Sequence, residues 1–256
     1  MMSKVLLMLA ALLLPAVGLA AGAENAYPND RIEIDWSDKA AMQRGARTFV
    51  NYCMGCHSAS YSRFNRVGED LGIPDDLVRE NLIFTTDANG DKTKVGALMK
   101  NAMTPAYAEQ AFGIVPPDLS LIARSRGVDW LYNYLRGFYV DESRVGLGVN
   151  NGVFANVGMP HVLADLQGLQ APKYQTVTDA HGNEHEVIAG FELIKPGSLS
   201  KSEYDQTIHD LVAFLDYIAE PYKQTRKNVG TGVIIFLLVF LVLVYFLKKE
   251  YWKDVH

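Results

Sequence analysis

The sequence predicts a mainly α-helical domain with a small β-hairpin, followed by one C-terminal transmembrane helix. Three observations predict this class. Apolar residues recur at helical spacing in 41–49 and 204–218, polar and apolar residues alternate on both sides of a turn at 181–183, and Gly230–Leu247 contains no charged residue. With 256 residues and a net charge of −5, the chain is long enough for one sizeable core, and its composition is that of a folded protein.

The N-terminal segment has the three-part layout of a secretory signal peptide. Lys4 precedes the apolar run Val5–Leu14, and several small residues follow that run. This layout predicts a signal peptide over residues 1–23 and an exported domain over residues 24–222. The alternative is a short N-terminal anchor that is not cleaved, although such a stretch barely spans a bilayer.

The uncharged stretch Gly230–Leu247 is rich in Val, Ile, Leu and Phe. At ~1.5 Å per residue, about 18 residues extend ~27 Å, which is close to the hydrocarbon thickness of a bilayer. This predicts a membrane anchor over residues 223–256, with the span at about 230–247. The alternative, a buried core helix, would show polar residues at helical spacing. Basic residues flank both ends of the span, so the positive-inside rule alone does not give its direction. The exported N-terminus gives the direction and leaves the tail Lys248–His256 in the cytoplasm.

Two helices have the clearest signals in the exported domain. Ser37 is a candidate N-cap for a helix over 38–51, and Gly45 on its apolar face would let a second helix approach closely. Ser200 and Glu203 form a capping-box pattern at the start of a long apolar stripe. We expect this last soluble helix to cross the first.

The segment between these two helices predicts four further helices, one hairpin and one loop. Asp118 is a candidate N-cap for a short helix that reaches Arg124, because the two prolines before it force an extended approach. Alternation in 174–178 and 186–193 predicts the hairpin. The other predicted elements are helices over 75–81, 92–111 (broken near Pro105) and 128–139, and a Gly- and Asn-rich loop over 146–158.

The two cysteines of the chain are Cys53 and Cys56, and His57 directly follows the second. This Cys-x-x-Cys-His pattern is that of covalent haem attachment. Two intervening residues put both sulfurs on one side of a helical turn, where they reach the vinyl groups of a porphyrin, and the histidine then lies under the iron. Three other interpretations compete: a structural disulfide, a redox dithiol and half of a zinc site. A redox dithiol normally follows a strand, whereas a helix precedes this motif, and zinc would need further ligands at motif spacing.

An electron-carrying haem needs a sixth iron ligand, and a methionine thioether favours the reduced iron. Met159 is the preferred candidate, because Gly158 permits close approach to the ring and Pro160 fixes the chain direction. The competing interpretation of Met159 is an ordinary core residue. Met103 is the next candidate, and His161 is a further alternative. The other methionines considered are Met42, Met54 and Met99.

Several motifs together resemble the cytochrome c1 family. They are the haem motif followed by Ser58, then Tyr61, the run Asn65–Gly68, the segment Pro116–Ser120 with Arg124 and Arg126, the pair Met159–Pro160 and the C-terminal anchor. The likeness extends from about Arg44 to the end of the anchor. It implies a class I cytochrome c-like helical domain with insertions, holding one covalent haem c. It also implies that Arg124 lies near a haem propionate, and that Pro117 belongs to the haem site. Met159 and His57 are the implied iron ligands, and Trp130 stands where the family often has a tyrosine near the propionates.

The resemblance implies the haem c subunit of a quinol:cytochrome c oxidoreductase, the bc1 complex, so the complex is the enzyme and this chain its electron carrier. The expected partners are cytochrome b, the Rieske iron–sulfur protein as electron donor, and a soluble or membrane-bound c-type cytochrome as acceptor; no nucleic acid is expected. The expected location is a bacterial inner membrane, with a single pass and the haem domain in the periplasm. The alternative is a free-standing anchored cytochrome that serves a terminal oxidase or another reductase. The acidic stretch 69–80 is expected either to steer a basic partner or to be ordinary solvated surface.

Overall fold

The computed structural model describes residues 30–87, 89–178 and 182–254. The predicted signal peptide over 1–23 and His181 of the predicted turn lie outside the described residues. The helices are α1 (Lys39–Thr48), α2 (Phe64–Leu71), α3 (Asp75–Asn81), α4 (Pro105–Phe112), α5 (Ile122–Arg126), α6 (Val128–Arg136), α7 (Ala164–Gln167), α8 (Lys201–Ala219) and α9 (Lys223–Tyr251). A π-helical segment, Phe49–Cys53, continues α1. The strands are β1 (Ala59–Arg63), β2 (Leu98–Met99), β3 (Phe138–Val140), β4 (Val149–Asn151), β5 (Gly168–Thr178) and β6 (Glu184–Pro196).

Helices α1 and α8 cross at Gly45 and form the centre of the core, as the sequence predicts. An added Cβ at Gly45 would overlap the carbonyl oxygen of Asp210 and lie 2.8 Å from the Cβ of Phe214. The rings of Phe49 and Phe214 meet with their centroids 5.5 Å apart. Arg44 donates to both carboxylate oxygens of Asp210, at 2.6 and 3.1 Å. The crossing therefore combines close backbone approach, apolar packing and an ion pair.

The caps of these two helices differ in how well the sequence predicts them. The capping box of α8 is confirmed: Ser200 Oγ accepts from the N–H of Glu203, and the Glu203 carboxylate accepts from the N–H of Ser200 at 2.8 Å. The cap predicted for α1 is wrong, because Asp38 accepts from a first-turn N–H and Ser37 does not. The Ser37 hydroxyl instead donates to the carboxylate of Asp35 at 2.6 Å, which occupies it away from the helix.

The helix predicted over 92–111 is wrong in its first half. Only α4 is helical, with Thr104 as its cap and Pro105 at its first position, where a missing N–H costs nothing. The residues before it include β2, in which Met99 pairs with Ala59 of β1. Met99 is fully buried. Tertiary burial and strand pairing therefore override the local helical pattern.

The helix predicted from Asp118 to Arg124 begins later, at Ile122, and Asp118 does not cap it. The Asp118 carboxylate accepts instead from the N–H groups of Ser60, at 2.9 Å, and Ser120, at 2.8 Å. The prediction is wrong because the side chain that suits a cap finds other donors, one on β1 and one at Ser120.

The structure contains the other two helices and the hairpin that the sequence predicts for this domain, in part with different first or last residues. The helix predicted over 75–81 is confirmed as α3. The helix predicted over 128–139 ends at Arg136, because the following residues form β3, which pairs with β4 inside the predicted loop 146–158. The predicted hairpin is confirmed as β5 and β6, and its antiparallel pairing extends down to Gly168 and Pro196. The fold class is that predicted: mainly helical, with small antiparallel sheets.

In the described part of the chain, one helix is long and apolar enough to cross a membrane by length and composition, namely α9, in which an 18-residue window has a mean hydropathy of 2.8. The predicted span over 230–247 lies within it. The start of α9 is tied to the domain by ion pairs: Lys223 Nζ lies 2.7 Å from the Asp216 carboxylate, and Arg226 pairs with Glu220. The end of α8 is thereby joined to the beginning of α9.

Candidate haem site

The Cys-x-x-Cys-His motif forms a closed turn at the end of the first helix. The π-helical segment brings the chain to Cys53, whose carbonyl oxygen accepts from the N–H of Cys56 at 3.0 Å and from that of His57 at 2.8 Å. Both thiols are free; Cys53 is buried and Cys56 is half-buried. The turn therefore brings two sulfurs and one imidazole together, which the sequence pattern predicts.

The electrostatic surroundings of Cys53 do not suit a reactive dithiol. Burial, and then the nearby Cys56, raise the pKa of the Cys53 thiol to about 12. A nucleophilic cysteine needs the opposite shift, because the thiolate is the reacting species. Among the residues that the structure describes, no group of three or more His, Cys, Asp and Glu side chains converges as a metal cluster. The site thus offers two free thiols, of which Cys53 is held neutral, beside one imidazole.

The orientation of His57 is set by a backbone carbonyl. His57 Nδ1 lies 2.7 Å from the carbonyl oxygen of Pro117. Since a carbonyl oxygen only accepts, Nδ1 carries the proton and Nε2 carries the lone pair. Burial lowers the pKa of His57, against the opposing effect of the Pro117 hydrogen bond, so the imidazole is neutral near neutral pH. This is the form that binds a metal, with the second nitrogen held in the way that orients metal-binding histidines.

The Pro-Pro-Asp-Leu-Ser segment lies along the chain that leaves the motif. The N–H of Leu119 donates to the carbonyl oxygen of Ser58 at 2.8 Å, and the Asp118 carboxylate accepts from the N–H of Ser60. The N–H of Tyr61 donates to Ser120 Oγ at 3.1 Å. These three long-range hydrogen bonds hold the segment in register, so the Pro117 carbonyl meets the imidazole.

Asn101 is a residue of the site that sequence reasoning missed. Its Nδ2 donates to the carbonyl oxygen of Cys56 at 2.6 Å, and its backbone N–H donates to Ser58 Oγ at 3.0 Å. Asn101, in the segment between β2 and α4, therefore holds the attachment turn at the Cys56 carbonyl. No signal in the sequence could identify it, because the surrounding segment has a helical pattern that the fold does not use.

Met159 lies in the loop after β4, half-buried, against a wall of aromatic rings. The hydroxyl of Tyr134 donates to Met159 Sδ at 3.4 Å. The Tyr134 ring stacks on Trp130, with centroids 4.8 Å apart, and meets Phe138 edge-on at 5.4 Å. Burial raises the pKa of Tyr134 to about 12, so its hydroxyl remains a donor. Tyr134 was also missed from the sequence, where it counts as one of several aromatic residues on an apolar helix.

The alternative ligands differ in their accessibility. Met42, Met54 and Met99 are buried in the core, with exposed fractions of 2, 6 and 0%, whereas Met103 is half-buried like Met159. His161 stacks on Phe138 with centroids 4.8 Å apart. Its Nε2 is buried and has no hydrogen-bond partner among the described residues. Met103 and His161 therefore remain the competing candidates to Met159.

The two arginines that follow the Pro-Pro segment have different surroundings. Arg124 is exposed. The pKa of Glu220 is lowered mainly by a hydrogen bond from Arg226, and the charges of Arg226 and Arg124 lower it further. The guanidinium of Arg126 lies over the Trp130 ring, 5.0 Å from its centroid. The structure thus brings Arg126 onto the Trp130 ring of this aromatic wall, and the propionate contact implied for Arg124 stays a prediction.

The residues of the site fit a covalent haem. Two free thiols lie in one turn at the sequence spacing of haem attachment. One imidazole uses Nδ1 for its hydrogen bond and so has Nε2 for iron, and the Tyr134 hydroxyl donates to a thioether sulfur.

Comparisons with known proteins agree with this chemistry. The model of the Cytochrome C1 family matches residues 33–255. The chain belongs to the cytochrome c1 family. It is 45% identical over 255 residues to the cytochrome c1 of Allochromatium vinosum, covering 100% of both chains. It is 45% identical over 250 residues to the ammonia monooxygenase gamma subunit of Nitrosomonas europaea, covering 98% of this chain and 97% of that one. It is 29% identical over 248 residues to the cytochrome b/c1 of Bradyrhizobium diazoefficiens, covering 86% of this chain and 34% of that one.

Membership of the cytochrome c1 family confirms the resemblance seen in the sequence. It makes the chain a bc1-type electron-transfer subunit with a haem c cofactor. Within this family, the apolar helix α9 fits a membrane anchor.

Proposed function

We propose that this chain carries single electrons from a Rieske iron–sulfur protein to a c-type cytochrome, as a subunit of a quinol:cytochrome c oxidoreductase. The complex is the enzyme, and the chain is its carrier. The observation that supports this most directly is the 2.7 Å contact between His57 Nδ1 and the Pro117 carbonyl beside two free thiols. It leaves a neutral imidazole with Nε2 free, which is the proximal ligand of a low-spin haem.

The proposed site holds one haem c. Cys53 and Cys56 would form the two thioether bonds, and His57 and Met159 would hold the iron. When bound, the haem supplies a one-electron couple. Pro117 keeps the imidazole in its orientation. Arg124 is proposed to meet a propionate, for which a guanidinium is the best-matched partner.

The proposed assembly places the chain in the inner membrane of a bacterium. Residues 1–23 act as a signal peptide, 24–222 form the haem domain in the periplasm, and 223–256 form the anchor with a short cytoplasmic tail. Cytochrome b and the Rieske protein are the proposed neighbours. The name of the Bradyrhizobium diazoefficiens relative joins cytochrome b to cytochrome c1, which supports the first of these partners.

The covalent attachment is tested on the denatured full-length chain. We expect haem staining on a denaturing gel and a mass that exceeds the polypeptide by one haem. The variant with both Cys53→Ala and Cys56→Ala should lose both signals, because each thioether needs its sulfur. Met54→Leu, a change inside the same turn, should retain them. An unstained parent chain with the mass of the bare polypeptide would refute the haem proposal.

The iron ligand is tested by absorption spectroscopy of the oxidised protein. Met159→Leu should lose the methionine-to-iron charge-transfer band and lower the midpoint potential, because the ligand that favours reduced iron is gone. Met103→Leu is the matched control and should keep the band. A reversed result, with the band lost only in the Met103 variant, would assign the sixth ligand to Met103.

The assembly is tested by purification from membranes in a mild detergent. Cytochrome b and a Rieske protein should copurify with the chain and give quinol:cytochrome c reductase activity. A chain that purifies alone or with a terminal oxidase would favour the free-standing cytochrome. Copurification with ammonia monooxygenase subunits, which the name of the Nitrosomonas europaea relative raises, would place the chain in a different complex.

The acidic stretch 69–80 is proposed to help steer a basic electron acceptor. Asp70 is not free for this role, because it pairs with Arg66 at 2.8 Å and accepts from the Tyr217 hydroxyl at 2.8 Å. The exposed acids are Glu69, Asp75, Asp76 and Glu80. Reversing the charge of Asp75 and Asp76 should weaken the salt dependence of electron transfer. An unchanged salt dependence would identify the stretch as ordinary solvated surface.

A further inference from the structure

The hydroxyl of Tyr134 has one notable partner, the sulfur of Met159. The oxygen lies 3.4 Å from Sδ, which is an ordinary distance for a hydrogen bond to the larger sulfur atom. We propose that Tyr134 is a positioning residue for the methionine ligand: its hydroxyl fixes the thioether and raises the reduction potential of the bound haem. This inference rests on the proposed function, in which Met159 binds the iron.

The position of the hydroxyl is fixed from several sides. The Tyr134 ring is stacked on Trp130, with an interplanar angle of 10°, and Phe138 meets it edge-on. Its backbone carbonyl accepts from Asn151 Nδ2 at 2.7 Å. A ring so packed has little rotamer freedom. The donor is therefore preorganised by α6 and β4.

The loop that carries Met159 depends on the same elements. Asn151 Oδ1 accepts from the N–H of Val153 at 2.9 Å and from that of Phe154 at 3.1 Å. Phe154 in turn meets Trp130 edge-on, with centroids 6.4 Å apart. The loop is thus tied to α6 at its start, and the Tyr134 hydroxyl ties it again at the sulfur. This second tie selects the direction in which the thioether presents its remaining lone pair.

The hydrogen bond also has an electronic effect. A hydroxyl that donates to sulfur withdraws electron density from the thioether. Oxidised iron carries one more positive charge than reduced iron, so it depends more on donation from its ligands. Weaker donation therefore destabilises the oxidised form relative to the reduced form, and hydrogen bonding around the axial ligand is one of the ways in which a protein sets a haem potential. The contact is partly buried, so water screens it less than it would on the open surface.

Tyr132 on the same helix provides a matched control. It lies two positions before Tyr134, so it faces a different side of α6. Its ring lies under the guanidinium of Arg136, 4.4 Å from the ring centroid. Removing the Tyr132 hydroxyl is the same chemical change at a place away from Met159.

The test is a redox titration of the haem in the purified complex that contains the full-length chain. Tyr134→Phe keeps the stacked ring and removes only the hydroxyl. We expect a lower midpoint potential, with the methionine-to-iron band retained, while Tyr132→Phe has the parent potential. A purely structural role would leave the potential unchanged, so a Tyr134→Phe potential equal to that of the parent would overturn the inference.

Met159→Leu in the same series separates the two possible failures. If Met159→Leu loses the band while Tyr134→Phe has the parent potential, the ligand assignment stands and the role of Tyr134 is wrong. If Met159→Leu keeps the band, the ligand assignment fails, and the role of Tyr134 fails with it.

Discussion

The crossing of α1 and α8 is tested by replacing Gly45 with alanine. A Cβ at this position would meet the backbone carbonyl of Asp210 and the Cβ of Phe214. Neither atom can rotate away, since both are fixed to the backbone of α8. Overpacking of a core costs ~1–3 kcal/mol, and this rigid contact belongs near the upper end.

The same substitution has a favourable effect that makes the test sharp. Alanine is better than glycine in a helix interior by ~1 kcal/mol. The net loss in the free energy of unfolding is therefore about 2 kcal/mol. For a protein of this size, that corresponds to a decrease in Tm of ~4–8 °C. If the helices did not meet at Gly45, the sign would reverse and Gly45→Ala would raise the Tm.

The assay is thermal unfolding of the full-length chain in detergent, followed by circular dichroism. Gly230→Ala is the matched control, because Gly230 is also helical and an added Cβ there meets nothing within 4 Å. It should leave the unfolding of the haem domain unchanged. A Gly45→Ala variant with a Tm equal to or above that of the parent would refute the close crossing.

Three further predictions concern polar contacts around the site and the core. Burial raises the pKa of Asp118, but hydrogen bonds from Ser120 and Ser60 outweigh this effect, so the net pKa is lowered. The ionised carboxylate therefore stabilises the folded state above the ordinary pKa of a carboxyl group. This stabilisation is lost as the pH falls through the lowered pKa. Asp118→Asn should lower the free energy of unfolding by ~1–3 kcal/mol near neutral pH. Chemical denaturation at a series of pH values should show that the difference in this free energy between variant and parent becomes smaller in acid. A difference that does not change with pH would contradict the role of the carboxylate. Asn101→Ala should lower the free energy of unfolding by ~1 kcal/mol and lower the yield of haem-stained chain, because the Cys56 carbonyl loses its donor. An unchanged yield and an unchanged free energy of unfolding would show that the contact is not needed. Ser200→Ala should lower the free energy of unfolding by ~0.5–2 kcal/mol through loss of the capping box, and equal denaturation midpoints would refute this.

The sequence by itself determined the features that depend on neighbouring residues. One turn holds Cys53, Cys56 and His57, because only two residues separate the cysteines and the histidine follows directly. Their spacing alone therefore predicts the chemistry that they share. The apolar period of α8, its capping box and the uncharged stretch within α9 are likewise local. Gly45 predicts a close helix crossing because a missing side chain matters only where another backbone approaches. Of these features, the haem motif and the uncharged C-terminal stretch also belong to the resemblance to the family.

Only the tertiary structure decided the contacts between distant segments. The partner of His57 is a backbone carbonyl, and any residue has one, so nothing in the residue type singles out Pro117 as the acceptor. Asp118 is a good cap by residue type, but folding brings it to the N–H of Ser60 on β1. The segment around Met99 has a helical pattern, yet burial against β1 makes it a strand. Tyr134 meets Met159 only because the loop after β4 folds back onto α6, and local periodicity contains no information about that approach.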